Sequence, residues 1–278
     1  MRRTVFAAAE GLARGLGGRW LYARRWLGPR GLRLREEHVE VPGLPPVLDG
    51  LRIAHLSDVH AGPFLGAGDL KYAVEEVNQW GPDLVALTGD FCAHEPEQAL
   101  EVAADLGHLR ARSGLFAVFG NHDYRHRREG EIAAAYLEHG IRFLRNAGVR
   151  PERDGRSLPL VCTGLEDLEE GRTVDVAAAR AELRAGDVEV MLCHNPRGAR
   201  ALARPGCPLL LSGHTHGTQI DLPWLRGLGP DHPGLRVELG PTTLLVSRGL
   251  GVVGVPLRWR VPAEVVLVQL WSAQKGPG

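Results

Sequence analysis

Three short apolar segments, each followed by polar side chains, constrain the fold more than any other feature of this chain. The segments cover residues 51–56, 83–88 and 115–119. Asp58, Asp90 and Asn121 follow them, 32 and 31 positions apart, with helix-like sequence in between. Because a βαβ unit takes about 30 residues or more, we predict consecutive parallel strands. The polar side chains would then gather at the edge of the sheet where α/β proteins bind ligands.

The second half of the chain repeats this arrangement with different connections. Residues 188–193 are predicted to form a strand that ends at His194, and residues 207–212 a strand that ends at Gly213-His214-Thr215-His216. Further strands are predicted at residues 158–163, 243–247 and 264–270. The sequence therefore predicts an α/β protein with polar strand ends in both halves.

Oxygen and nitrogen donors at these strand ends point to bound metal ions. Taken alone, each motif has an ordinary explanation: Asp90 could cap a helix or shape a turn, and His194 could be a hydrogen-bonded histidine. Taken together, the strand ends hold five of the twelve histidines. A thiol-free donor set of this kind suits Mn, Fe or Zn. We predict two divalent ions bound by Asp58, His60, Asp90, Asn121, His194, His214 and His216.

Asp90 is the natural candidate to bridge the two ions, because it lies between the other ligands along the chain. A bridging carboxylate holds two cations about 3.5–4 Å apart. Two residues are weaker candidates for binding substrate. Trp224 lies in a Gly/Pro-rich stretch that follows the histidine motif, and Arg248 could contact a phosphate or belong to a structural turn.

Length and composition suit one large domain with an appendage. The chain has 278 residues, of which 44% are hydrophobic, and we divide it into an appendage of residues 1–50 and a domain of residues 51–278. The formal net charge of zero argues against binding to long nucleic acid. Four cysteines without C-x-x-C spacing suggest buried, reduced thiols in a cytoplasmic protein.

The first 35 residues carry nine arginines and one glutamate, interleaved with apolar residues such as Trp20, Leu21 and Trp26. Such a segment suits the surface of an anionic membrane; the alternative is a basic tail packed on the acidic body. The sequence contains no stretch of about 18 apolar residues, so we predict no helix that spans a bilayer. We predict a cytoplasmic protein, with peripheral attachment to the inner membrane as the membrane-bound alternative.

The motif order D-x-H, G-D, G-N-H-D, H and G-H-T-H resembles that of the calcineurin-like metallophosphoesterases, from Leu51 to about Leu270. Finer features, such as Leu-Ser-Asp-Val-His at 56–60 and Ser-Arg-Gly-Leu-Gly at 247–251, are similar to the bacterial YaeI/YkuE-type phosphodiesterase branch. Thr218 departs from the branch, which usually has Gly there.

The resemblance implies a four-layer α-β-β-α sandwich of two mixed sheets. It also implies one metal on Asp58, His60 and His216, and another on Asn121, His194 and His214, with Asp90 bridging. His122 would stand beside the leaving group, with Asp123 able to orient it.

The implied reaction is hydrolysis of a phosphodiester or pyrophosphate by a hydroxide that bridges the metals. The substrate could be small or lipid-linked, since the branch includes enzymes that cleave UDP-2,3-diacylglucosamine. A nucleotide phosphodiesterase or nuclease is the enzymatic alternative. A non-catalytic scaffold with the same fold is the alternative of another class, and such a protein would be expected to lose metal ligands.

Overall fold

Two six-stranded mixed sheets form the centre of the part of the chain that the computed structural model describes, namely residues 11, 13, 15, 17–222 and 234–273. In spatial order, the strands of the first sheet are β1 (Arg33–Val41), β14 (Glu264–Ser272), β2 (Arg52–Leu56), β3 (Leu84–Thr88), β4 (Leu115–Val118) and β5 (Ile141–Phe143). Strands β2 to β5 are parallel neighbours, whereas β14 is antiparallel to β2 and parallel to β1. The consecutive parallel strands are those that the motif spacing predicts.

The second sheet has a parallel centre and antiparallel edges. In spatial order, its strands are β12 (Arg236–Leu239), β13 (Thr242–Val246), β11 (Leu209–Ser212), β10 (Val188–Leu192), β9 (Leu160–Gly164) and β6 (Ala147–Val149). Strands β13, β11, β10 and β9 are parallel, and β12 and β6 are antiparallel to their neighbours. A separate hairpin consists of β7 (Glu152–Arg153) and β8 (Arg156–Ser157).

Helices cover the outer faces of both sheets. The helices are α1 (Gly18–Trp26), α2 (Lys71–Trp80), α3 (Pro96–Leu106), α4 (Glu129–Glu138), α5 (Val176–Ala179) and α6 (Ala199–Leu202). Side chains of β2 point alternately into two apolar layers. Ala54 and Leu56 pack against helices α1 to α4, whereas Ile53 packs between the two sheets. Short helices α5 and α6 pack on the far face of the second sheet. The predicted four-layer α-β-β-α sandwich is therefore confirmed.

The predicted boundary at residue 50 does not follow the edge of the first sheet. Arg33–Val41 pairs with β14 along its whole length, and Val39 and Val41 are buried between the sheets. The register joins Arg33 to Glu264, so the partner lies far along the chain and leaves no local signal. Residues 33–41 are thus an integral strand rather than part of an appendage.

Helix α1 packs on the body of the protein through one face. Tyr22 and Leu27 are buried in the layer between the helices and the first sheet, whereas Trp20 and Leu21 are exposed. Within the described part of the chain, no helix is both long and apolar enough to cross a bilayer. Attachment of residues 1–35 to a membrane stays a prediction.

The four cysteines are buried, as the sequence predicts, and the structure contains them as free thiols. Burial raises the pKa of the Cys162 and Cys193 thiols, so both stay protonated at neutral pH. They act as small apolar residues of the core.

Candidate metal centre

The predicted ligands lie at one end of both sheets. Asp58 and His60 follow β2, Asp90 follows β3, and Asn121 follows β4. These strands are adjacent in the first sheet, and β10 and β11, which precede the remaining three histidines, are adjacent in the second. The seven side chains come together because the two sheets face each other.

A first donor group consists of Asp58, His60 and His216, all of them buried. The Nε2 atoms of His60 and His216 lie 2.9 Å apart. Oδ1 of Asp58 is 3.4 Å from Nε2 of His216 and 4.0 Å from Nε2 of His60. Three potential ligand atoms therefore converge on one point.

A second donor group consists of Asp90, His194 and His214. The His194 ring is fixed by its Nδ1–H, which donates to the Thr88 carbonyl at 2.6 Å. Its Nε2 atom is buried and makes no hydrogen bond within the described residues. Asn121 joins this group, since its Oδ1 lies 3.0 Å from Nδ1 of His214. Because the Thr88 carbonyl occupies Nδ1 of His194, Nε2 is the nitrogen of this ring that is available to a metal.

Asp90 lies between the two groups. Its Oδ2 atom is 3.3 Å from Nε2 of His60 and 3.4 Å from Nε2 of His194. Its Oδ1 atom accepts the His122 backbone N–H at 2.8 Å. One oxygen of this carboxylate thus faces both donor groups, while the other fixes its orientation.

Glycines in the motifs allow the ligands to approach one another. A Cβ atom at Gly213 would lie 2.0 Å from Ser57 Oγ and 2.3 Å from Asp58 Oδ2. A Cβ atom at Gly120 would lie 2.2 Å from Asp90 Oδ1. All three distances are far below van der Waals contact, so any larger residue would push the carboxylates out of place.

Five predicted ligands have left-handed backbone conformations, which residues other than glycine rarely adopt. The φ values are 50° for Asp58, 44° for His60, 55° for Asp90, 69° for His214 and 51° for His216. Such strain costs about 1–3 kcal/mol per residue and concentrates at functional sites. The surrounding fold holds these backbones where the side chains converge.

The buried charges of the site suit cations. Burial raises the pKa of Asp58. Burial favours a raised pKa for Asp90 as well, but the neighbouring His194 and His122 outweigh it and hold the Asp90 pKa well below its usual range. Burial lowers the pKa of His216. Two carboxylates and four imidazoles form a hard, thiol-free donor set, which fits divalent metal ions.

His122 borders the first donor group. Its ring lies 4.5 Å from the His60 ring, edge to face. Its Nδ1–H donates to the Ala93 carbonyl at 2.7 Å, and its Nε2 accepts from Nη2 of Arg125 at 2.7 Å. Burial lowers the pKa of His122 to about 3, so the ring is neutral at pH 7.

Asp123 does not contact the His122 ring through any hydrogen bond that the structure shows. Its buried carboxylate instead accepts backbone N–H bonds at 2.8–3.2 Å from Asp90, Phe91, Cys92 and Gly120. Burial and the Asp90 carboxylate raise the pKa of Asp123, whereas the N–H donors favour its ionised form. Ala93 and Arg125, rather than Asp123 as predicted, make the hydrogen bonds that orient the His122 ring. Asp123 instead holds the loops after β3 and β4 together.

The two weaker candidates have different outcomes. The Arg248 guanidinium donates to the buried Glu264 carboxylate, with Nη1 2.5 Å from Oε2, so its main partner is structural. Trp224 lies outside the described residues. A contact of either residue with substrate stays a prediction.

Sequence reasoning missed two charged neighbours of the centre. Arg125 reaches His122, as described above, and Glu169 Oε1 lies 3.6 Å from Nε2 of His214. Glu169 also accepts from Nδ2 of Asn195 at 2.9 Å. The acidic run at 166–170 follows β9 at the same edge as His194, so the strand-end rule could have found Glu169. Nothing in the motif pattern indicates Arg125.

A family model described as calcineurin-like phosphoesterase matches residues 51–218, more than half of the chain and all seven donors. The chain belongs to the calcineurin-like phosphoesterase family. Calcineurin-like phosphoesterases typically bind divalent metals, and the clustered donors of this member fit that chemistry.

Several relatives of this calcineurin-like phosphoesterase are metallophosphoesterases by name. The uncharacterized metallophosphoesterase YkuE of Bacillus subtilis is 29% identical, over 96% of this chain and 95% of its own length, which supports the predicted branch. An uncharacterized metallophosphoesterase of Aquifex aeolicus is 30% identical, over 89% and 93%. A bovine "transmembrane protein with metallophosphoesterase domain" is 33% identical over 84% of this chain. The chain spans only 56% of that bovine relative.

Proposed function

We propose that the protein is a binuclear metal-dependent hydrolase that cleaves a phosphodiester or pyrophosphate bond. The observation that carries the proposal is the position of Asp90, whose Oδ2 atom lies within 3.4 Å of ligand nitrogens from both donor groups. Two divalent cations bound there would polarise a phosphoryl oxygen and activate water. Mn, Fe and Zn are the metals that this donor set favours.

The residues around the donors suit phosphoryl transfer. In hydrolysis a water oxygen bonds to phosphorus, the bond to the leaving oxygen breaks, and the leaving oxygen takes up a proton. His122 adjoins both His60 and Asp90 without belonging to the predicted ligand set, so we propose that it acts on the leaving group. Nε2 of the neutral His122 ring would take up the proton that the attacking water releases and pass it to the leaving oxygen, and the Arg125 guanidinium beside it would balance negative charge.

For the substrate we favour a small diester or a lipid-linked pyrophosphate over long nucleic acid. The net charge of zero argues against extended contact with a polyanion. The name of the bovine relative places a related domain in a transmembrane protein, which supports a substrate at a membrane. A soluble nucleotide diester remains the second candidate, because bound metals would contact only the phosphate and not the groups attached to it.

The scaffold alternative predicts lost ligands, yet all seven donor positions are intact and six of them fall into the clusters described above. A scaffold would also have no use for five strained backbones at the ligand positions. These observations support catalysis over a purely structural role.

The proposal is tested by stripping the protein of metal, reloading it with Mn, Zn or Mg, and measuring hydrolysis of bis(p-nitrophenyl) phosphate and p-nitrophenyl phosphate. We expect metal-dependent cleavage of the diester with little cleavage of the monoester. Arg125→Ala should lower kcat and kcat/KM together, whereas substitution of the exposed His139 to Ala serves as a remote control. Absence of both activities together with absence of bound metal would support the scaffold alternative.

A further inference from the structure

A groove of about 400 Å³ lies between helix α1 and the loop of residues 253–260. Apolar side chains from both elements line it, among them Leu21, Trp26, Leu257 and Trp259. Leu21 is 56% exposed, Leu257 is 47% exposed and Trp259 is 52% exposed. Large apolar side chains that stay exposed in one place mark an interaction surface.

The positively charged side chains beside this groove are arginines. Arg25 and Arg260 line it together with the apolar residues. The Arg25 guanidinium stacks 4.5 Å above the Trp26 ring, and the Arg24 guanidinium lies 5.1 Å above the ring of Trp20. The surface is therefore apolar at its centre and positive at its rim.

The inner side of helix α1 is anchored firmly. Tyr22 is fully buried, and its hydroxyl donates to the Leu250 carbonyl at 2.5 Å and accepts from Nε of Arg258 at 3.0 Å. The buried Arg258 guanidinium also donates to the carbonyls of Arg248 at 2.9 Å and Gly249 at 3.1 Å. Helix α1 is thus held in one orientation, with Trp20 and Leu21 facing outward.

The same elements adjoin the metal centre. The backbone N–H groups of Leu250 and Gly251 donate to the carbonyls of Ser57, at 3.1 Å, and Asp58, at 2.7 Å. On the other side, the amide of Gln219, three residues after His216, donates to the carbonyls of Val253 and Leu257. The groove therefore has a fixed position relative to both ligand loops.

We propose that this groove docks the protein on an anionic lipid bilayer, with Leu21, Leu257 and Trp259 among the acyl chains and the arginines at the phosphate headgroups. Tryptophan and arginine side by side suit the interface of a bilayer, where one part of each side chain is apolar and the other polar. Anionic lipid complements the positive rim and adds to apolar burial. The surface goes beyond residues 1–35, because half of it comes from the loop near the C-terminus.

The test is binding of the full chain to vesicles of phosphatidylcholine, with and without phosphatidylglycerol, measured by cosedimentation in the absence of substrate. We expect binding to the anionic vesicles that weakens as salt is added. Leu21→Glu combined with Leu257→Glu should reduce binding by about tenfold or more, since two apolar side chains no longer enter the bilayer. Leu137→Glu, at a leucine that is 62% exposed on α4, is the matched control and should bind as wild type does.

A charge test is independent of the leucines. Arg25→Glu with Arg260→Glu should reduce binding to the anionic vesicles, whereas Arg156→Glu, at an exposed residue of the β7–β8 hairpin, should not. Quenching of tryptophan fluorescence in wild-type protein by brominated lipid gives a measurement that does not depend on a variant folding.

Several results would overturn the docking surface. These are no binding to anionic vesicles, binding that survives both groove variants, or no quenching by brominated lipid. A wild-type dimer in sedimentation velocity that Leu257→Glu dissociates, without vesicle binding, would assign the groove to a second copy of the chain. Vesicle binding without diester hydrolysis would leave the surface standing and remove the proposed activity instead.

Discussion

Replacing Asp123 with asparagine should destabilise the protein and weaken its metal site. The buried carboxylate accepts four backbone N–H groups from the loops after β3 and β4. The single carbonyl oxygen of asparagine can accept from two of them, and the amide nitrogen would face the others. Hydrogen bonds to a buried charge contribute about 1.5–3 kcal/mol each, so two lost bonds cost about 3–6 kcal/mol in the free energy of unfolding.

For a chain of this size, that loss corresponds to a fall in Tm of about 6–24 °C. Urea denaturation followed by circular dichroism measures the stability, and mass spectrometry of bound metal measures the site. Asp154→Asn, in the exposed turn between β7 and β8, is the isosteric control. If Asp123→Asn kept wild-type stability and metal content while kcat fell about 100-fold, Asp123 would act on His122 and this reasoning would be refuted.

Three further substitutions probe His122, Gly213 and the Arg150–Asp187 ion pair. His122→Ala should keep its metal and lose about 10²–10⁴-fold in kcat for a diester; lost metal would place His122 among the ligands. Gly213→Ala should abolish metal binding and lower Tm, because its Cβ would lie 2.0 Å from Ser57 Oγ; full metal content would contradict this. Arg150 pairs with Asp187 at 2.6 Å and keeps the pKa of that carboxyl low, so this stability is present above the unfolded pKa and is lost as pH falls through the folded one. Asp187→Asn should cost about 1–2 kcal/mol at pH 7 and progressively less as the pH falls through the lowered pKa of the folded state; a difference in urea denaturation that does not shrink with falling pH would contradict the assignment.

The fold was predictable where short-range patterns determine it. The spacing of Asp58, Asp90 and Asn121 predicts parallel neighbours because a crossover helix needs a nearly constant number of residues. The same rule does not predict the pairing of β1, since Arg33–Val41 pairs with a strand more than 200 residues away. The position of β14, parallel to β1 and antiparallel to β2, likewise depends on tertiary pairing rather than on local sequence.

The candidate site divides in the same way. Strand ends identify the seven donors, because ligands collect at the carboxyl edge of parallel strands. The role of Asp123 could not be predicted, since its partners are backbone N–H groups that carry no sequence signature. Arg125 was missed because its contact with His122 joins residues three apart in a turn, a spacing that many arginines share.

The proposed function requires that Asp90 hold two metal ions between the donor groups. The most direct test counts the manganese bound per chain by mass spectrometry and records the electron paramagnetic resonance spectrum of the same sample, for wild type and for Asp90→Asn. We expect two magnetically interacting ions per wild-type chain, and loss of both the second ion and the interaction in the variant. One ion per chain at saturation in the wild type, or two interacting ions in Asp90→Asn, would contradict it.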